Sequence, residues 1–298
     1  ALALAKVLSS IDADFSKWRT KIASIFVIVV PMLLVFLQND TGSALVFASF
    51  VFVLFREGLS AYVLVFGASL IVLFVSALLI DKYILVGILF ALCLVAWLVI
   101  KRKSHRTKVW LFLVCFLISS AVVFAVDVVF DKGLEQHQKD RIEVLLGKKE
   151  DLKGVGYNVN QSKIAIGSGG FLGKGFLNGT QTKYNFVPEQ DTDFIFCTIG
   201  EEWGFIGSSI TIILFLTLCI RLVKMAERQR SKFARIYGYG VASIIFFHFF
   251  VNIGMTIGLL PVIGIPLPFI SYGGSSLWAF TLLLFIFIRQ DASRLELI

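Results

Sequence analysis

Uninterrupted apolar runs of membrane-crossing length constrain this chain more than any other feature in it. Residues 22–37, 59–80, 83–100, 109–130, 205–222, 236–260 and 277–288 are almost free of charge. A hydrocarbon core of about 30 Å takes about 20 residues of helix to cross, and each run is read as a helical span. A shorter run, 43–55, is expected as a tilted or pore-facing span. Apolar residues follow one another without alternation, which argues against a transmembrane β-barrel. With 57% hydrophobic residues, 30 Phe and a mean hydropathy of +0.86, most of the surface must be solvated by lipid. The chain is predicted to be all-α, a polytopic transmembrane bundle forming one integral membrane domain over residues 1–298.

Basic residues fall in alternate connections. Lys17, Arg19 and Lys21 form one group, Lys101, Arg102, Lys103, Arg106 and Lys108 a second, and Arg221, Lys224, Arg228, Arg230, Lys232 and Arg235 a third. The connections around Asp40, Asp81 and residues 261–275 are nearly devoid of them. The positive-inside rule makes the first set cytoplasmic and the second external. A net charge of +8 distributed this way does not argue for nucleic acid. Cys93, Cys115, Cys197 and Cys219 sit singly in apolar surroundings, and are expected as reduced thiols rather than a disulfide or zinc framework. Residues 1–8 are apolar apart from Lys6 and too short to span, so they read as the end of a helix.

One connection, residues 131–204, is long, charged and rich in glycine, and the orientation places it outside. Leu134, Ile142, Leu145 and Leu146 suggest a short amphipathic helix on the membrane. Ile164, Ile166, Phe171, Leu172 and Phe176, among glycines such as Gly154, Gly169 and Gly173, suggest a packed or re-entrant lid. Long structureless loops are uncommon unless functional.

Within this segment lies Asn185-Phe186-Val187-Pro188-Glu189-Gln190-Asp191-Thr192-Asp193-Phe194-Ile195-Phe196. Carboxylates at the edge of a lipid phase are costly unless they bind or react with something. A helix would put Glu189 and Asp193 on one face, and an extended chain would align all three acids. Either arrangement could hold a divalent cation such as Mg or Mn on Asp193 and Glu189, although no dedicated metal motif is present. The alternative is structural: Asp191 or Thr192 caps a helix, with an acid in its first turn favouring the dipole. Glu201 and Glu202 either join the cluster or begin the next helix. Lys163, Lys174, Lys183 and Lys6 are the available cations, each also readable as solvated surface. Asp40 faces the same external side or forms a turn with Gly42. Pro266, Pro268, Gly273 and Gly274 mark a non-helical segment that needs protein or a water-filled cavity beside it. His248 and Asn252 share a helix face inside a span, where interhelical hydrogen bonding is the default explanation.

Four blocks closely resemble the SEDS family (shape, elongation, division and sporulation proteins), and more its RodA than its FtsW branch. They are Gln38 to Ala44, with Asn39 where proline is usual; Gly156 to Gly170; Gly179-Thr180-Gln181 through Thr192-Asp193 to Glu202; and Asn252 to Ser276. The resemblance implies a GT-C-like fold of ten spans, of which the first and most of the second would be missing here. It implies a peptidoglycan glycosyltransferase that polymerises lipid II, with Asp193 as the essential base. Phe194, Ile195, Phe196 and the neighbouring acids would be expected to raise the pKa of that base. Asp191 departs from the histidine common in the family. Glu189, Lys163, Gln38, Asp40, Lys174, Ser271 and Ser275 are the expected substrate contacts, Lys163 foremost for the pyrophosphate. The implied setting is the bacterial inner membrane with the site facing outward. The implied partners are a class B penicillin-binding transpeptidase and the elongation machinery. A lipid II flippase and a transpeptidase-recruiting scaffold are the competing readings. Ionisable residues are scarce in the spans and concentrated outside, which favours chemistry over transport.

Overall fold

The computed structural model describes residues 1–10, 17–103, 109–128, 130, 133, 136–147 and 155–295. The expected basic residues Arg106 and Lys108, the helix start at Asp131 and Leu134, and Gly154 lie outside the described residues. The described residues are helical throughout, with turns and bends between the helices and no strand among them. The chain divides into two compact units, Ser60–Lys149 on the one hand and Ala1–Leu59 with Glu150–Ile298 on the other.

The smaller unit holds α5 (Ala61–Leu79), α6 (Lys82–Lys103), α7 (Val109–Val128) and α8 (Gln136–Leu145). Helices α6 and α7 meet edge-to-face through Phe90 and Phe116, with ring centres 5.5 Å apart. None of the residues of α5 is buried, as expected of a span that presents its side chains to lipid.

The larger unit is built around α12 (Lys232–Thr256). Around it stand α1 (Leu2–Ser9), α4 (Phe50–Arg56), α11 (Ile195–Glu227) and α13 (Gly274–Ala292), while α2 (Trp18–Phe36) and α3 (Thr41–Val46) complete the group. Leu4, Val53, Leu222, Val241, Ile245 and Phe287 form the heart of its core. Tyr237 is buried there with its hydroxyl satisfied, donating to Leu283 O at 2.9 Å. Trp18–Phe36, Ala61–Leu79, Ile195–Glu227 and Lys232–Thr256 are each long and apolar enough to cross a membrane. Shorter apolar helices occupy Thr41–Arg56, Lys82–Leu98 and Phe112–Val126. The chain is a multi-pass membrane protein.

Over residues 155–204 the glycine-rich connection is folded, not a tether. It contains α9 (Val155–Ser168) and the short α10 (Thr180–Lys183). Helix α9 docks on the end of α12, where Ser162 Oγ donates to Thr256 O at 2.9 Å. Val159, Ala165, Val187, Phe194, Cys197, Met255 and Val262 make a second core beneath the acid-rich turn. Helix α11 breaks at Gly204, whose φ of 63° and ψ of −156° favour glycine. The break frees the N–H groups of Phe205 and Ile206, which donate to Gly170 O and Phe171 O at 2.9 and 3.2 Å. The segment is therefore held by its backbone. Of the five apolar residues expected to pack as a lid, Ile166 is drawn against the cores, whereas Ile164, Phe171, Leu172 and Phe176 stand exposed.

Candidate active site

The stretch from Val187 to Phe194 is a succession of bends and turns, so neither the helical nor the extended arrangement of the three acids is realised. Helix α11 begins only at Ile195, with Phe194 at its cap, no side-chain capping bond and no acid in its first turn. The helix-capping explanation of Asp191, Thr192 and Asp193 therefore has no counterpart in the structure. The turn is closed locally: Thr192 N and Phe194 N donate to Glu189 O at 3.2 and 3.1 Å, and Thr192 Oγ1 donates to Glu189 Oε2 at 3.0 Å. Glu189 takes a left-handed φ of 56°, an uncommon conformation for a residue with a side chain.

Three successive carbonyls of this turn are gripped from a distant part of the chain. Tyr272 N donates to Asp191 O at 2.8 Å, Ser271 Oγ to Thr192 O at 2.6 Å, and Asn252 Nδ2 to Asp193 O at 2.8 Å. Asn252 is fully buried and its amide also donates to Ile265 O at 2.7 Å. It thus ties the acid-bearing turn to the non-helical segment that follows α12. Beside it, His248 Nδ1 lies 3.3 Å from Pro266 O, with its ring edge-on to Phe280. Both intramembrane polar residues thus bond to that segment, and Asn252 also to the acid-bearing turn, rather than to another helix as expected.

Asp193 itself is half-buried, between the buried Phe194 below and the non-helical segment alongside. A Cβ placed on Gly264 would lie 3.3 Å from Asp193 Oδ2, and Gly264 has a φ of 77°. The carboxylate therefore rests against glycine backbone where a side chain would crowd it. The start of α3 leans on the other flank of the same segment: a Cβ on Gly42 would fall 2.7 Å from Ile263 O. This brings the Asp40 block and Asp193 to one frame, residues 263–265. Asp40 is exposed and caps α3, accepting from Ser43 N at 2.9 Å. Gln38 is exposed just before it, and Ser275 is exposed in the first turn of α13, three residues past Tyr272. Lys163 is exposed on α9, with no acidic partner among the described residues. Its stem lies on the turn after α12, where a Cβ on Gly258 would meet Lys163 Cε at 2.3 Å.

Two of the expected substrate contacts, Ser271 and Lys174, are engaged within the protein. Ser271 is buried, and its hydroxyl donates to Thr192 O while accepting from Leu267 N at 2.7 Å, so it supports the turn. Lys174 is spent on Glu201: Nζ lies 2.7 Å from Glu201 Oε1 and donates equally closely to Thr180 Oγ1. Glu201 is the residue whose role the sequence left open. Fully buried, it accepts from Gln181 N, Thr182 N and Thr182 Oγ1, each at 2.9 Å. Burial alone would push its pKa up, but Lys174 and these donors outweigh it and hold the carboxyl down to about 2. The carboxylate is the post around which residues 174–182 fold. A glutamate three residues ahead of Gly204, with Gly-Thr-Gln-Thr upstream, is the only trace of this in the sequence.

Among the described residues no three His, Cys, Asp or Glu side chains converge as a metal-ligand set.

Residues 68–295 match the family FTSW_RODA_SPOVE, described as cell cycle proteins. The peptidoglycan glycosyltransferase MrdB of Escherichia coli (strain K12) is 47% identical over 144 residues, which is 48% of this chain and 39% of that protein. The peptidoglycan glycosyltransferase RodA of Treponema pallidum (strain Nichols) is 43% identical over 145 residues, 49% of this chain and 34% of that protein. The matched region spans less than half the length of these curated relatives. Among solved structures, a chain from work on the structural coordination of polymerization and crosslinking by a peptidoglycan synthase complex superposes with a TM-score of 0.65. That superposition covers 98% of this chain and 67% of that one at 24% identity, which speaks for the fold alone. With most of its length matched by the family and its architecture shared, the chain belongs to the FtsW/RodA/SpoVE family of cell cycle proteins.

Proposed function

We propose that this chain is the membrane part of a peptidoglycan glycosyltransferase that joins lipid II units into glycan strands, with Asp193 as general base. The observation that carries the reading is the half-exposed Asp193 on a turn whose three successive carbonyls are pinned by Tyr272, Ser271 and Asn252. A base works when it is held within hydrogen-bond reach of the proton it removes, and buried supporting bonds hold it there. The names of the curated relatives support the same activity.

In this reading the acceptor sugar's 4-hydroxyl approaches Asp193, which takes its proton as the oxygen attacks the anomeric carbon of the donor. The new C–O bond forms as the bond to undecaprenyl pyrophosphate breaks, and the leaving group departs with the electron pair. Positive charge near the departing pyrophosphate lowers the barrier, and Lys163 is the cation available for it. Lys174 is not, because Glu201 holds it. Gln38, Asp40, Glu189 and Ser275 are exposed polar groups suited to sugar hydroxyls and amides. The alternation of basic loops supports an outward-facing site in the bacterial inner membrane. A class B transpeptidase of the elongation machinery is the partner that fits this activity.

The test is glycan-strand formation from purified lipid II by the full-length protein with its transpeptidase. Asp193→Ala and Asp193→Asn should lower polymerisation by about 10²–10⁴ while leaving thermal unfolding unchanged. Polymerisation by either variant at the parental rate overturns the assignment.

A further inference from the structure

A groove of about 580 Å³ opens between α4, α11 and α12, near the end of α12 opposite to Asn252. That volume falls within the range of ligand pockets, about 300–1,000 Å³. Ala242 and Ser243 are buried at its floor, while Phe52, Phe55 and Phe246 stand exposed along its sides. Small side chains below and large rings above make a slot shaped for a chain rather than a flat lipid-facing surface.

The slot has one polar end, formed by Arg56, Lys224 and Tyr239. Arg56 is held rigidly: Nη2 donates to both carboxylate oxygens of Glu227 at 3.1 Å, and Nε to the Tyr239 hydroxyl at 3.1 Å. The Tyr239 hydroxyl closes the triangle by donating to Glu227. Glu227 offsets one of the two cations. Among the described residues Arg56 Nη1 has no hydrogen-bond partner, and Lys224 is exposed with no acidic partner. An apolar slot ending in an uncompensated positive charge is complementary to an amphiphile with a negative head.

We infer that this groove binds one anionic glycerophospholipid, an acyl chain in the slot and its phosphate at Lys224 and Arg56 Nη1. The apolar walls leave a soluble anion nothing to gain from the slot, and the cations favour an anionic over a zwitterionic headgroup. The basic connection between α11 and α12 puts this end on the cytoplasmic side, where anionic lipids concentrate and basic pockets between helices take their headgroups. The site is separate from Asp193 and does not depend on its role.

Native mass spectrometry of the full-length protein tests this, with phosphatidylglycerol and phosphatidylcholine of the same acyl chains added in equal amounts. One retained phosphatidylglycerol per protein is expected, in preference to phosphatidylcholine. Lys224→Gln should lower that retention about fivefold, the worth of one basic residue near an anionic surface. Arg221→Gln removes a cation one turn earlier on α11 that does not line the groove, and should leave retention unchanged. Ser243→Phe, which fills the floor, should abolish retention of the lipid, and Lys224→Gln keeps the test open if that variant does not fold. Equal retention of the two lipids, or equal loss in Lys224→Gln and Arg221→Gln, overturns the inference. So does displacement of the lipid by glycerol phosphate at matched concentration, which would mean that the slot contributes nothing.

Discussion

Asp193 and Glu201 belong to one acid-rich stretch, yet the fold treats them in opposite ways. Glu201 is fully buried, with its carboxylate surrounded by an ammonium, two backbone N–H groups and hydroxyls. Asp193 is half-exposed, and what the protein grips is its backbone carbonyl rather than its carboxylate alone. A buried charge must have its full complement of partners, because stripping it of water costs several kcal/mol. A group meant to exchange a proton with a substrate has to keep one side open and gain its precision from the backbone beneath it. The first arrangement builds the loop, and the second is the one that the proposed base role requires.

The comparison can be broken or sharpened by substitution. Asp193→Asn keeps the size and polarity of the side chain but cannot take a proton. Polymerisation should fall by about 10²–10⁴, the contribution of general base catalysis, with no change in melting temperature. A large stability loss in that variant would place Asp193 with Glu201 as a structural acid. Lys174→Met should do the reverse. It leaves Glu201 charged, buried and short of its counter-ion, at a cost of about 3 kcal/mol or more, read as a lower unfolding temperature in detergent or nanodiscs.

Asn252→Ala removes the donor shared by Asp193 O and Ile265 O. It should cost about 1–3 kcal/mol for the buried carbonyls left unpaired and reduce kcat more than it raises KM, as the base loses its position. Asn252→Gln, a conservative replacement, should recover part of the rate but not the parental kcat. Gly264→Ala sets a methyl group 3.3 Å from Asp193 Oδ2 at a positive φ. A strain of about 1–2 kcal/mol is expected, together with a shifted pH–rate profile, because the crowded group is the base.

Acid titration gives the smallest and most specific difference. The Glu201 carboxyl is held down to about 2 in the folded protein against an ordinary value of 4.5. Its folded state therefore binds protons less readily than its unfolded state, so the stabilisation is complete above pH 4.5 and fades as pH falls towards 2. Lys174→Met should flatten that decline, measured as unfolding temperature against pH.

Much of this was legible in the chain before any coordinates. Apolar runs marked the membrane-crossing helices, and the run beginning at Phe205 starts at the break at Gly204. What was illegible was how individual polar residues divide between structure and substrate. Ser271 shares a family block with Ser275, and Lys174 shares the long connection with Lys163, but Ser271 and Lys174 are engaged by Thr192 O and Glu201 while Ser275 and Lys163 stay exposed. The length of α9 was hidden as well, because its glycines and polar residues are poor helix formers and its order comes from docking on α12.

The sequence by itself determined that this chain lives in a membrane and which stretch concentrates negative charge. Those properties follow from hydrophobicity and charge counted along the chain. Only the tertiary structure decided which acid is a buried post and which is half-exposed, and that α12 and the segment after it hold the Asp193 turn. Hydrogen bonds from residues sixty or eighty positions away satisfy those carbonyls, and no local pattern encodes a partner that folding alone brings near.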